Sequence, residues 1–240
     1  MTFDQAEYDV RCEWGAAGVR HLAVISDVVI VIDVLSFCTA VDIAVSNGAV
    51  VLPYPWGEEG AREFAEAHGA VLASRRSAPG AYSLSPGSLQ SIPRGCSVVL
   101  PSPNGGTLSL STGNAVTFAA CLRNCEEVAA RARTHGNTMA VIPAGETWEG
   151  GALRPSLEDL VGAGAVLAHL PGRLSPEAEL AVAAFERFRP ALYDAISRSS
   201  SGKELIDGGF AEDVELACQY GVSSSAPVLV DGRYLDLWKR

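Results

Sequence analysis

The chain has 240 residues, 48% of them hydrophobic, and a formal net charge of -10. Its length and composition predict one α/β domain over residues 1–240, and its acidic balance argues against a general nucleic-acid binder, which needs a basic face. The N-terminal segment does not resemble a signal peptide, and the longest uncharged apolar stretch is too short and glycine-rich to span a bilayer, so we expect a cytoplasmic protein without a membrane partner.

Short apolar segments alternate with helical patterns over the first two thirds of the chain. Strands are predicted at residues 10–14 (an edge strand), 28–32, 50–53, 70–73, 97–100, 116–119 and 139–142. Helices are predicted at residues 39–46, 58–68, 122–134 and 157–170. This alternation predicts a three-layer α/β/α sandwich around a mostly parallel or mixed sheet.

The two stretches DVVIVID…NGAVVLPY and CSVVLPSPN…GNAVTFAACL share an order of strand, polar loop, short helix and strand. A βαβ duplication is one explanation, and the general likeness of βαβ units is the other. In the last third, Ser175 and Pro176 predict a helix start, and Pro190 another. Residues 199–202 are expected to form a flexible break before a helix in GFAEDVELACQYG, and Asp231-Gly232 predicts the turn of a β-hairpin.

Polar residues follow the first buried strand. Asp33 comes directly after residues 28–32, and Ser36 and Thr39 lie just beyond it. Ligands bind at the carboxyl ends of strands in open α/β sheets, and a buried carboxylate needs a partner or a cation. Asp33 is therefore the first candidate for chemistry, and a loop-bracing role is the alternative.

A second polar loop, SPNGGT, follows the strand at residues 97–100. Asn104 could orient a ligand there, and backbone N–H groups near Gly105 and Gly106 could receive an anion; an ordinary tight turn is the alternative. Arg123, beside Asn124, offers a guanidinium to an anionic ligand, unless it is simply a surface arginine.

Acidic pairs open two of the later helices. Glu158 and Asp159 follow Ser156, and helix capping alone would explain them, as it would Asp213 near the end of the chain. GAGA within the same helix as Glu158 is interpreted as a close-packing surface. Several carboxylates and few histidines suit a hard cation such as Mg²⁺. The six cysteines form no C-x-x-C pair and are expected to be small buried apolar residues.

The order of these motifs resembles the 2-phosphosulfolactate phosphatase (ComB-like) family. The resemblance is carried by VVIVIDVLSFCTAVDIAVSNGA, YSLSPGSL, VVLPSPNGGTLSL, FAACLRN, AGETWEGGALRPSLEDLVGAG and AEDVELAC. It implies an α/β/α fold and magnesium-dependent hydrolysis of 2-phospho-3-sulfolactate on the route to coenzyme M. It also implies a site around Asp33, Asn104, Gly105, Arg123, Asn124, Glu158, Asp159 and Asp213.

We therefore predict a phosphomonoesterase for a small anionic phosphoester, with a homodimer as one possible assembly. Catalysis is assigned to Asp33, Glu158 and Asp159; magnesium binding to Asp33, Glu158 and Asp213; and substrate binding to Ser36, Thr39, Asn104, Gly105, Gly106, Arg123 and Asn124. Attack by water and a phospho-aspartyl intermediate are both open. The alternatives are a phosphatase for another anionic ester and a catalytically silent anion-binding relative.

The chain departs from the family pattern at three places. Ser36 stands where the family usually has Arg, an acid is missing near Ser74, and Leu84 replaces an Asn. Arg75 and Arg76 add positive charge in another segment. These changes are expected to move the anion-binding pattern and so to affect substrate specificity more than the fold.

Overall fold

The computed structural model describes residues 3–55, 60–76 and 82–238. Its strands are β1 (Val10–Cys12), β2 (Val28–Ile32), β3 (Val50–Pro55), β4 (Val71–Leu72), β5 (Ser97–Ser102), β6 (Val116–Ala120), β7 (Met139–Pro143), β8 (Glu146–Thr147), β9 (Leu153–Arg154), β10 (Val228–Val230) and β11 (Arg233–Leu235). Its α-helices are α1 (Gly15–Leu22), α2 (Phe37–Ser46), α3 (Ala61–Ala67), α4 (Gly105–Ser109), α5 (Cys125–Ala132), α6 (Leu157–Leu167), α7 (Pro176–Phe188), α8 (Leu192–Ser197), α9 (Ser200–Asp207) and α10 (Ala211–Ala217).

Nine strands form one mixed sheet in the order β1-β7-β2-β6-β10-β11-β3-β5-β4, and β8 and β9 form a separate antiparallel pair. On one face of the sheet, α5, α6 and α7 cover a core that includes Ile30, Ile32 and Phe118. On the other face, α1, α2 and α4 cover a core that includes Val29, Val31 and Tyr234. These layers confirm the predicted α/β/α sandwich, and the edge position of β1 is also confirmed.

The C-terminal hairpin lies inside the sheet. Its turn is the predicted Asp231-Gly232, and both residues have positive φ, as a tight two-residue hairpin turn requires. Strand β10 pairs antiparallel with β6, and β11 pairs antiparallel with β3. The hairpin therefore joins the two parallel parts of the sheet.

The pairing of the inner strands is what the suggested duplication would produce. The unit β2-α2-β3 and the unit β5-α4-β6 exchange partners, because β2 pairs parallel with β6 and β3 pairs parallel with β5. The two parallel parts of the sheet run in opposite directions, and the loops after β2 and β5 nevertheless meet, because the N–H of Gly105 donates to Asp33. The duplication itself stays a prediction.

The predicted break at residues 199–202 is wrong. Ser199 accepts a hydrogen bond from the N–H of Gly202 and caps α9, so the serine acts here as a helix cap.

The interpretation of GAGA as a packing surface is confirmed. A Cβ on Gly162 would overlap Val34, and one on Gly164 would overlap the backbone of Ala181 in α7. The amino-terminal end of the helix predicted at residues 58–68 lies outside the described residues.

All six cysteines are free thiols, and four of them are buried. Cys38, in the first turn of α2, donates to the carbonyl of Val31, and burial raises its pKa well above the ordinary value. This confirms the interpretation of most cysteines as small buried residues, and a thiol that stays protonated is a poor nucleophile. Among the described helices, none is long and apolar enough to cross a membrane.

Candidate active site

Asp33 lies at the carboxyl end of β2, whose five residues are fully buried. Its own side chain is 5% exposed. Oδ1 accepts from the N–H of Phe37 at 3.1 Å, and Oδ2 accepts from the N–H of Gly105 at 2.8 Å. Burial raises the pKa of Asp33, while these two amides and the charge of Arg76 act in the opposite direction. The carboxylate is thus held in one orientation between the loops after β2 and β5.

The hydrogen bond from Gly105 to Asp33 joins these two loops. A Cβ at this position would lie 2.6 Å from Cδ1 of Phe37 and 2.8 Å from Oδ2 of Asp33, so a larger residue does not fit. The N–H of Gly105 was predicted to be open to an anion, and in the structure it binds the carboxylate of Asp33 instead. Gly106 is also tightly packed, because a Cβ at this position would lie 3.0 Å from Cβ of Ser102.

Glu146 is the site residue that the sequence analysis missed. It begins the short strand β8 just after β7, and its Oε2 accepts from Nδ2 of Asn104 at 3.0 Å. Asn104 and Glu146 both line a cavity of about 230 Å³. Burial and then the negative charge of Asp33 raise the pKa of Glu146 to about 7, with Glu158 adding to the effect. The sequence does contain a signal for Glu146, because the segment AGE places this acid directly after a buried strand.

Asp159 braces three loops and has little capacity left for a ligand. Its Oδ1 accepts from the N–H of Val34 at 2.8 Å, and its Oδ2 accepts from the N–H of Gly145 and the hydroxyl of Ser156, each at 2.8 Å. The predicted capping by Ser156 is wrong in detail, because that hydroxyl donates to Asp159 and makes no capping bond to α6. Burial, then the charges of Asp33 and Glu158, raise the pKa of Asp159 well above its ordinary value.

Glu158, one position earlier in α6, is 2% exposed and accepts from the hydroxyl of Ser199 at 3.3 Å. Its charge acts on Asp33, Glu146 and Asp159. We name these four acids the carboxylate cluster: Asp33, Glu146, Glu158 and Asp159. Like charges so close together favour protonation of one member or binding of a cation.

Arg76 closes the other side of the Asp33 loop. Its Nη2 donates to the hydroxyl of Ser36 at 2.5 Å and to the carbonyl of Leu84 at 3.3 Å. Its Nε lies 3.4 Å from Oδ2 of Asp213, a residue that is 2% exposed. The structure therefore places Asp213 against an arginine and against Ser85, whose hydroxyl donates to it at 2.5 Å.

Thr39 and Asn124 of the predicted substrate-binding set make contacts within their own loops. Thr39 donates to the carbonyl of Val34 at 2.8 Å, and Asn124 accepts from the N–H of Cys121 at 2.9 Å. Arg123 forms a 2.9 Å ion pair with the buried Asp42 and also bonds Gln219. None of these contacts reaches Asp33. The structure therefore gives the three residues structural partners, and a direct role in binding stays a prediction.

The three predicted magnesium ligands do not come together as one group. Within residues 3–55, 60–76 and 82–238, no three His, Cys, Asp or Glu side chains are arranged to hold a metal ion. Asp213 does not join Asp33 and Glu158 because its carboxylate is paired with Arg76. The donor chemistry of the carboxylate cluster still suits magnesium, which takes oxygen ligands, keeps several waters and often uses only one or two carboxylates beside a substrate phosphate.

Comparison with known proteins identifies the family. Residues 18–232 match the 2-phosphosulpholactate phosphatase family. A 2-phosphosulfolactate phosphatase of Methanothermobacter thermautotrophicus is 31% identical over 211 residues, covering 87% of this chain and 89% of the relative. Two proteins named probable 2-phosphosulfolactate phosphatase are also similar. That of Gloeobacter violaceus is 32% identical over 49% of this chain and 50% of its own length, and that of Pseudothermotoga lettingae is 25% identical over 58% and 59%. The chain therefore belongs to the 2-phosphosulfolactate phosphatase family and is a phosphoric monoester hydrolase.

Proposed function

We propose that the protein hydrolyses 2-phospho-3-sulfolactate to 3-sulfolactate and phosphate with the help of magnesium, a reaction on the route to coenzyme M. The observation that carries the proposal is the carboxylate cluster, one member of which, Glu146, lines a 230 Å³ cavity together with Asn104. Asn104 precedes Gly105, whose N–H binds Asp33. The names of the similar proteins support the choice of substrate.

The roles of the acids follow from their contacts. Asp33 is fixed by two backbone amides, so it can orient an attacking water or itself attack the phosphorus. Glu146, whose pKa is raised to about 7 by burial and by the charge of Asp33, is partly protonated near neutral pH and can give its proton to the leaving alkoxide oxygen. Asp159, with its three donors, is assigned to positioning rather than to proton transfer.

Magnesium would be held by Glu158 and Asp33, with waters and the substrate phosphate completing its shell. When bound, it supplies charge stabilisation to the phosphoryl oxygens. The carboxylate cluster suits magnesium because it concentrates negative charge. Among the neighbouring cations, Arg154 acts on Glu146 and Arg76 acts on Asp33.

The test is phosphate release by the purified protein from a panel of phosphomonoesters, each with and without magnesium. The panel contains 2-phosphosulfolactate, phosphoesters of unsulfonated hydroxy acids and simple uncharged alcohols. We expect the highest kcat/KM for 2-phosphosulfolactate. A higher kcat/KM for another ester would support the alternative of a phosphatase for a different small anion.

A further inference from the structure

A second cavity lies beside the Asp33 loop, and its charge is opposite to that of the carboxylate cluster. It has a volume of about 350 Å³ and is lined by Ser74, Arg75, Arg76 and Leu84. Arg76 bonds Ser36, three positions after Asp33, so this cavity adjoins the candidate catalytic loop. An arginine of this cavity therefore contacts the loop that carries Asp33.

The guanidinium of Arg76 has N–H groups that make no hydrogen bond with the residues that the structure describes. Of its five N–H groups, those on Nη2 bond Ser36 and Leu84. Nε is buried without a hydrogen-bond partner, as is Oδ2 of Asp213 opposite it at 3.4 Å. Within the described part of the chain, Nη1 donates no hydrogen bond. The charge of Arg76 is therefore balanced by Asp213, while part of its hydrogen-bonding capacity is left for a ligand.

The position of Arg76 is held by contacts on several elements. Its guanidinium carbon lies 5.7 Å from the centre of the Phe210 ring, and its Nη2 contacts come from the loop after β2 and the segment before Pro86. An arginine held in this way is partly immobilised before a ligand arrives, which lowers the entropy cost of binding an anion.

We infer that Arg76 binds an acid group of the substrate that is not transferred, the sulfonate or the carboxylate of the phosphoester. The inference rests on the proposed function. The shared chemistry is an oxyanion that accepts hydrogen bonds from Nη1 of the charged guanidinium, and a phosphoryl group is the other source of that chemistry. Arg76 also contacts Ser36, in the loop that carries Asp33. Binding of the substrate's acid group by Arg76 would therefore make it a specificity-determining residue of the reaction.

The experiment compares Arg76→Ala and Arg76→Lys with the wild-type protein and with Arg62→Ala, a control at an exposed arginine of α3. Removing Arg76 alone leaves Asp213 buried without its cation, so the double variant R76Q/D213N is made as well. Inhibition of hydrolysis of a simple aryl phosphate is measured with two probes: 3-sulfolactate, which lacks phosphate, and inorganic phosphate. Calorimetry measures the Kd of 3-sulfolactate directly.

We expect Arg76→Ala and R76Q/D213N to weaken 3-sulfolactate binding by roughly 10–100-fold, the size of one lost charge-assisted contact. Arg76→Lys should recover part of this loss, and Arg62→Ala should have no effect. In the Arg76 variants the Ki of inorganic phosphate should change much less than the Kd of 3-sulfolactate. If phosphate inhibition weakens and 3-sulfolactate binding does not, Arg76 contacts the transferred group and the inference is overturned.

The failure of this inference can be told apart from failure of the proposed function. If the wild type releases phosphate from 2-phosphosulfolactate but 3-sulfolactate binds equally well to the wild type and the Arg76 variants, only the inference is overturned. If the wild type hydrolyses no phosphoester, the proposed function fails. The calorimetric comparison then still decides whether Arg76 binds the sulfonated acid.

Discussion

At the residue scale, the chemistry depends on acids that are kept inside the protein at a cost. Two backbone amides hold Asp33, three donors hold Asp159, and Glu146 has a single bond from Asn104. The pKa values of Glu146 and Asp159 are both raised, but Glu146 lines the 230 Å³ cavity with one hydrogen bond, whereas donors occupy both oxygens of Asp159. This difference separates the proposed role of Glu146 from that of Asp159.

We predict that Asp33→Asn loses at least roughly 100-fold in kcat, the contribution of a positioned acid or base. The amide cannot accept from both Phe37 and Gly105 with its two ends, so one backbone N–H loses its acceptor at a cost of about 1–3 kcal/mol. Removal of a buried charge offsets part of this cost, and we expect a net change in unfolding free energy below about 2 kcal/mol. Phosphate release and urea unfolding measure the two effects. Near wild-type turnover would mean that Asp33 is only structural, and failure to fold would favour the loop-bracing alternative.

We predict that Glu146→Gln is more stable than the wild type at pH 8 by about 1–3 kcal/mol and equally stable at about pH 4. The pKa of Glu146 is raised from 4.5 to about 7 in the folded protein, so the folded state binds an extra proton between these values. The stability from that proton is complete below pH 4.5 and is lost as the pH rises through 7. Urea unfolding at both pH values measures this effect.

The same variant should lose about 100-fold or more in kcat for substrates with poor leaving groups, because glutamine cannot donate the proton. The exposed Glu149, on the turn between β8 and β9, provides the matched control Glu149→Gln, for which we expect no change. A Glu146→Gln variant that keeps the kcat and pH profile of the wild type would remove Glu146 from the mechanism.

At the scale of elements, the site depends on two glycines that serve different purposes. Gly105 lets the start of α4 approach Asp33, and Gly164 lets α6 approach α7. The sequence predicts both elements, because apolar periodicity and the Asn-Gly pair are local signals. It does not predict that the N–H of Gly105 is taken by Asp33, since that contact depends on how the two halves of the sheet meet.

We predict that Gly105→Ala lowers kcat by at least about tenfold, because the new Cβ would displace Asp33 or Phe37. The comparison variant Gly164→Ala overlaps Ala181 and should cost about 1–3 kcal/mol of stability through overpacking. Its folded fraction should keep a kcat within about twofold of the wild type. Active-site titration with thermal melting separates the two effects. Equal losses of kcat in both variants would mean that Gly105 has no special link to the site.

Other elements show why part of the site could not be predicted from the sequence. Asp33 and Asn104 follow strong strand signals, and Glu158 lies in the first turn of a strong helix signal. These three site residues could therefore be predicted from local sequence. Glu146 begins a two-residue strand that has no hydrophobic alternation to predict it. The contact of Arg76 with Ser36 and Asp213 joins segments far apart in the chain, and only the tertiary structure reveals it.

At the scale of the whole molecule, the C-terminal hairpin completes the sheet. A C-terminal hairpin would ordinarily be expected at an edge, but β10 and β11 separate β6 from β3. Tyr234 in β11 is fully buried and donates to the hydroxyl of Ser109, which donates to the carbonyl of Gly105. The hairpin thereby supports the same short helix that binds Asp33.

We predict that a chain ending at residue 225 does not fold cooperatively. The truncation removes β10 and β11, exposes the paired edges of β6 and β3, and takes Tyr234 from the core. Circular dichroism during thermal melting checks this, with a chain that lacks only residues 239–240 as the control. A sharp melting transition in the shorter chain would mean that the hairpin is an accessory to a sheet that is stable without it.

The most direct test of the account is the steady-state rate of phosphate release from 2-phosphosulfolactate, measured on one wild-type preparation with magnesium, with excess chelator, and with magnesium restored. The carboxylate cluster has more negative charge than its neighbouring arginines balance, so the account predicts turnover with magnesium, loss of at least about 100-fold in chelator, and full recovery. Full turnover in excess chelator, or no turnover in any of the three conditions, would contradict it.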